Sequence, residues 1–317
     1  MTPDANNPIW PDLSSPLLAS TAGTLQLWTQ IAGKVRLARS PWLNHSWHAT
    51  FQVSARGLAT PLIPHGRVSF ALEFDLVAGA LIIRVTDGGE GRIGLAPGSP
   101  AEFHAAVMDE LAALGVATAI VPTPNEMPEA TPFPQDTRRR SYDAQVARDY
   151  WRALVQVDRV LNRFRSRFLG KCSPVHVFWG GFDMAVTRFS GRPAPLHPGG
   201  IPNLPDEVTR EAYSHEVSSA GFWAGGPGVD GPSFYSYAWP TPEGFPDAAV
   251  SPAQARYDPG LGEFLLSYDA VRTADDPDAA LLSFLQSTYE AAADLAHWDR
   301  AALDCLEGLT GRPRRVG

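Results

Sequence analysis

The chain has 317 residues, 44% of them hydrophobic, a net charge of −8 and a pI near 5.5. That length can bury a large core as one domain or two fused halves, and the acidic balance offers no footprint for nucleic acid or an anionic membrane. Two cysteines, Cys172 and Cys305, exclude a disulfide scaffold and a cysteine-based zinc site. No apolar run approaches the roughly 20 residues of a membrane span and the start lacks a signal-peptide pattern, so the expected location is the cytoplasm.

Leu25, Trp28, Ile31, Ala32 and Val35 recur at helical spacing and predict a helix over 24–39, ended by Ser40-Pro41. Trp47, Ala49, Phe51, Val53 and Ala55 alternate with polar residues, which predicts a half-buried strand over 47–56. Phe70, Leu72, Phe74 and Leu76 alternate likewise, and the turns Val77-Ala78-Gly79 and Asp87-Gly88-Gly89 bracket a further strand over 81–85. Ser99-Pro100-Ala101-Glu102 is a capping box, which opens a helix ending at Gly115. Residues 116–121 read as a buried strand and 122–137 as a Pro-rich linker.

Tyr150, Leu154, Val157, Leu161, Phe164 and Phe168 predict a long helix over 142–169. The next segment, 175–188, reads as one strand with Phe178, Phe182, Met184 and Val186 toward the core. Trp179, Asp183 and Thr187 take its other face, and by the same parity His176 joins Phe178. Asp276-Pro277 caps a late helix.

These elements describe a weak duplication. Ser40-Pro41 and Ser173-Pro174 lie 133 residues apart while the caps Ser99 and Asp276 lie 177 apart, so the second copy holds 44 extra residues in two long loops, 191–214 and 240–262. The expected fold is α+β, a pseudo-duplicated unit of strand, helix, four antiparallel strands and helix, with a curved sheet and helices on one side. The halves are 1–124 and 141–317, joined by 125–140. At the level of topology this resembles the TATA-binding-protein-like arrangement, although the acidic charge argues against DNA on the saddle.

Long ordered loops in compact domains are commonly functional. The first carries His197 and runs into His215-Glu216, which with Asp183 make a candidate set for proton transfer or for a divalent metal held by His197 and His215. Neighbours in a strand face opposite ways, so only one of His215 and Glu216 can reach a given site. The plainer alternative makes His197 a turn residue and one of the pair a hydrogen-bonding anchor. Tyr235, Tyr237 and Trp239 share one strand face and, with Trp179 and Trp223, form either an aromatic ligand wall or a packing stripe. Cys172 with His176 could form a nucleophile pair, yet a helix C-terminus disfavours a thiolate and an inert buried cysteine is the plainer account. The chain contains no Gly-x-Ser-x-Gly, phosphate-binding loop or dinucleotide fingerprint, and Gly225-Gly226-Pro227-Gly228 reads as a turn.

The segments Leu27–Ile31, Gly170–His176, His197–Gly200, Ser214–Trp223 and Leu281–Glu290 together resemble a bacterial family of unknown function, domain of unknown function 5996. The resemblance spans nearly the whole chain and implies a bacterial cytosolic protein, with no activity to carry over. The leading expectation is an enzyme acting on a small organic molecule in a His/carboxylate- and aromatic-lined pocket of the second half. The alternatives are a non-catalytic small-molecule binder and a protein-interaction scaffold. Expected partners are a small molecule, and neither nucleic acid nor membrane.

Overall fold

A computed structural model describes residues 9–226 and 228–314; Pro227 of the glycine-rich turn lies outside them. Among the described residues the fold is α+β, with seven helices and two antiparallel sheets of six strands each, curved but not closed. The first sheet runs β1 (Gln52–Val53), β2 (Gly57–Ala59), β4 (Val68–Asp75), β5 (Ala80–Val85), β6 (Glu90–Gly94), with β3 (Ile63–His65) also on β4. The second runs β11 (Arg256–Asp258), β12 (Glu263–Ser267), β10 (Ser233–Trp239), β9 (His215–Trp223), β8 (Asp183–Pro193), β7 (His176–Phe178). Phe51 and Val177 exchange backbone hydrogen bonds of 2.9 and 2.8 Å, which joins the two sheets edge to edge.

The helices follow from their caps and packing. α1 (Leu18–Arg39) is buried on nearly every side from Thr21 to Arg36, as expected of a helix at the centre of the fold. α2 (Pro100–Ala113) starts at the capping box, where the Ser99 hydroxyl accepts from the Glu102 amide and the Glu102 carboxylate accepts from the Ser99 amide. α3 (Ala144–Arg165) is capped by Asp143 and is strongly amphipathic, while α6 (Pro277–Leu295) is capped by Asp276. α3 and α6 cover one face of the second sheet, whose register stacks Met184, Phe222, Phe234 and Leu266 in the core beneath them. The opposite face carries Ala185, Gly221, Tyr235 and Leu265. No helix among the described residues is long and apolar enough to cross a membrane.

Several predicted elements are corrected. The strand expected over 47–56 shrinks to β1, because His45 and Ser46 take left-handed backbone (φ 58° each) in a short 3-10 turn that breaks the extended run. Residues 116–121 form no strand. The segment 175–188 is not one strand. Trp179–Phe182 is a hairpin turn with Phe182 at φ 55°, so β7 and β8 run antiparallel and the face assignment resets. Phe178 lies opposite Asp183 and shares its face, while Val177 joins Met184 in the core.

Candidate functional site

The polar face of the second sheet is roofed by residues 194–214, which contain the short helix α4 (Asp206–Ala212). Between roof and sheet lies a cavity of about 790 Å³. Three anchors hold the roof. The Tyr213 and Tyr237 hydroxyls meet at 2.7 Å. Glu211 accepts from the His45 amide at 2.9 Å, and His45 Nδ1 donates to the Ala212 carbonyl at 2.7 Å. The Glu126 amide donates to the Pro202 carbonyl at 2.8 Å, and the amide side chains of Asn125 and Asn203 bond each other's segments. The cavity is therefore closed by both halves and by the segment between them. Two other large clefts compete with it. One of about 670 Å³ beside the start of α1 is lined by serines, glycines and apolar side chains, with Asp230 and Asp269 among them. One of about 530 Å³ between α3 and α6 has its Arg163, Arg167 and Asp278 already in ion pairs.

Four carboxyl residues line the cavity: Asp183 at the start of β8, Glu263 at the start of β12, and the more exposed Glu126 and Glu207, the latter on α4. Asp183 Oδ1 and Glu126 Oε2 lie 3.0 and 3.6 Å from where a Cβ on Gly181 would stand, so the glycine turn lets both face the same space. The Tyr235 hydroxyl donates to Asp183 Oδ2. Burial raises Asp183 to about 6 even though that hydrogen bond favours the anion. Glu263 rises to about 7 through burial and then repulsion from Asp183 and Asp258; Glu126 has an exposed side chain, but its carboxyl end packs against Gly180, and that packing with repulsion from Asp183 raises it. None of Asp183, Glu126 and Glu263 has an ion-pair partner among the described residues. By contrast, Asp75, Asp136, Asp278 and Glu307 are each answered by arginine.

Aromatic rings make up much of the remaining wall. Trp179, Trp223, Tyr213, Tyr235 and Tyr237 line it, and Trp47, Phe178 and Phe189 extend it toward His45. Tyr235 and Tyr237 stack at 6.1 Å. Trp179 is fixed by donating its indole N–H to the Ala49 carbonyl at 2.7 Å, and it packs on the bare backbone of Gly33 in α1. Lys34 is 4% exposed, bonded to Asn125 Oδ1 and placed 5.4 Å from the Trp179 ring; burial lowers its ammonium to about 8.

A family model matches residues 10–305. The chain belongs to DUF5996, a family of unknown function. No curated protein and no solved structure matches it significantly. For this DUF5996 chain, chemistry must therefore be argued from the cavity itself.

Of the residues singled out in the sequence, Asp183, Trp179, Trp223, Tyr235 and Tyr237 line the cavity. Trp239 does not; it packs on His197 at 4.5 Å, at the roof's edge. His197 stacks on Tyr213 at 4.7 Å and its Nδ1 accepts from the Gly199 amide at 3.0 Å, which is a turn-anchoring role. His215 bonds the Ser214 hydroxyl at 3.1 Å and meets the His45 ring at 6.2 Å. Glu216 faces the other side of β9, where Arg192 pairs with it at 2.7 Å beside the end of α6, so it is removed from the candidate set. Among the described residues no group of three His, Cys, Asp or Glu is arranged to hold a metal ion. Cys172 is largely buried and burial pushes its thiol up, which is the inert case. His176 is buried against Phe178, without a hydrogen-bond partner, and burial lowers it to about 3.

Sequence reasoning missed Glu126, Glu263, Lys34 and His45. A lone Glu in a Pro-rich segment and a Glu opening a strand carry no distinguishing pattern. Lys34 lies between the apolar residues Ile31, Ala32 and Val35 of the sequence, a placement that does not by itself name a site.

Proposed function

We propose that the protein is a small-molecule enzyme whose substrate occupies the cavity beneath residues 194–214 and whose Asp183 moves a proton. The observation that carries this reading is the Asp183–Tyr235 pair in an aromatic-walled cavity. A carboxyl held near 6 is mostly ionised at neutral pH yet takes up a proton far more readily than a free aspartate, which suits it to act as a general base. Tyr235 is 8% exposed, and its own hydroxyl is pushed well above its usual value, so it remains a donor that fixes the carboxylate's orientation. Glu126 and Glu263 stand ready to take or return the same proton. His197 and His215 then hold the roof and need not touch substrate.

A second reading, a non-catalytic binder, is favoured by one feature: among the described residues no serine, threonine or cysteine hydrogen-bonded to a base lines the cavity. The test separates the two. A metabolite set is screened by thermal shift against the native protein and against Ala185→Leu, which fills the cavity floor. Compounds that stabilise only the native protein are then incubated in D2O and followed by NMR. Solvent deuterium incorporation or product formation, lost in Asp183→Asn, supports the enzyme. Binding without exchange or product supports the binder. Hits that bind Ala185→Leu equally well would overturn both.

A further inference from the structure

We propose that the occupant of this cavity is an organic cation, an alkyl- or arylammonium compound held between the aromatic rings and the carboxyls of Asp183, Glu126 and Glu263. This rests on the cavity being the ligand site and names the chemistry that it selects. Three observations converge on it.

The first is the missing counter-charge. Three carboxyls from three elements face one space, and among the described residues no arginine, lysine or histidine pairs with any of them, whereas Asp75, Asp136 and Asp278 are each answered by arginine. Such an arrangement costs stability unless something positive enters. The second is the wall. Tryptophan and tyrosine faces attract a cation within roughly 6 Å of the ring centre, and they do so best where water is excluded. Tyr235 and Tyr213 have their hydroxyls tied to Asp183 and to Tyr237, which leaves the ring systems as the surface a ligand meets. The third is size. The cavity of about 790 Å³ far exceeds a metal ion, and no three ligating side chains among the described residues converge as a metal requires. Carboxyls spread around a wider space suit a charge carried on an organic frame.

The other charged groups facing the cavity do not supply that charge. Lys34 on α1 is committed to Asn125 and to the Trp179 ring. His45 accepts from Lys171 through Nε2 and donates through Nδ1, and burial lowers its protonation. Glu207 on α4 adds a further negative group at the mouth. Cation binding should therefore strengthen as pH rises from 5.5 to 7.5, while Asp183, Glu126 and Glu263 lose their protons.

The experiment is calorimetric titration of the full chain with three probes of similar frame: benzyltrimethylammonium, benzyl alcohol and benzoate. The expected result is tenfold or tighter binding of the cation over both others at pH 7.5, with at least fivefold weakening at pH 5.5. Asp183→Asn and Glu263→Gln should each weaken the cation tenfold with little effect on benzyl alcohol, and Ala185→Leu should block it. If benzyl alcohol or benzoate binds as well as the cation and Ala185→Leu abolishes that binding, the cavity is the ligand site and the cation assignment is wrong. If none of the three binds, or binding survives Ala185→Leu unchanged, the assignment and the underlying site both fall.

Discussion

Asp183→Asn should make the protein more stable while removing its function. In the folded chain burial raises Asp183 from 3.8 to about 6. At roughly 1.4 kcal/mol per pKa unit, holding it ionised in that site costs up to about 3 kcal/mol. Partial access of water to the cavity makes this an upper bound. Asparagine is nearly isosteric, can still accept from Tyr235, and carries no charge to repel Glu126 and Glu263. The folded state of the native protein binds this proton more tightly than the unfolded state. Its penalty is therefore absent below about pH 4, grows as pH rises toward 6, and is complete above. At an unfolding entropy of about 2.1 cal/mol/K per residue, 3 kcal/mol raises Tm by about 4 °C. Differential scanning calorimetry of both proteins at pH 4 and pH 8, without ligand, checks this. Equal Tm values at pH 4 and a higher Tm for the variant at pH 8 are expected. A variant less stable at pH 8, or a difference that does not change with pH, would refute the reasoning that this carboxyl is strained in the empty cavity.

Three further substitutions probe the parts that build the site. Gly221→Ala places a methyl group well inside contact with the Met184 carbonyl and the Tyr235 ring; it should cost about 2 kcal/mol by denaturant unfolding and weaken cavity ligands by displacing Tyr235. Gln30→Ala removes the side chain that donates to the Asn125 carbonyl at 2.9 Å and accepts from its amide at 2.8 Å; loss of about 1–3 kcal/mol and faster amide exchange over 123–127 are expected. Arg188 is 1% exposed, 3.5 Å from the Phe164 ring centre and 4.3 Å from that of Tyr289, and has no carboxylate partner among the described residues. Arg188→Ala should cost about 3–5 kcal/mol in urea unfolding, and Arg188→Met should recover most of it, because packing rather than charge is what the core needs there.

Local signals in the chain were legible where a single physical rule governed them. The capping box at Ser99 and Glu102, the amphipathic stripe of α3 and the Asp276 cap each depend on residues within one or two turns. The roof over the second sheet was legible as excess chain between two copies of one pattern, although α4 within it was not. The 175–188 segment failed because Gly180-Gly181 was read inside an alternating run, when a glycine pair is also the signal of a hairpin; the turn resets side-chain parity and moved His176 and Phe178 to the cavity face. Asp183, Trp223, Tyr235 and Tyr237 were found because side chains on one strand face share a fate. Glu126, Glu263 and Lys34 come from three elements far apart in sequence, and only tertiary packing brings them to one space. His197 and Glu216 looked chemical by residue type alone, but local partners, the Gly199 amide and Arg192, absorb their polar atoms.

A crystal structure of the protein grown with benzyltrimethylammonium at neutral pH tests the central claim most directly. The account predicts the ammonium group beside Asp183 and Glu263, with the aryl ring against Trp223, Tyr235 or Tyr237, beneath residues 194–214. Density for the ligand in the cleft beside the start of α1, or an empty cavity at saturating cation, would contradict it.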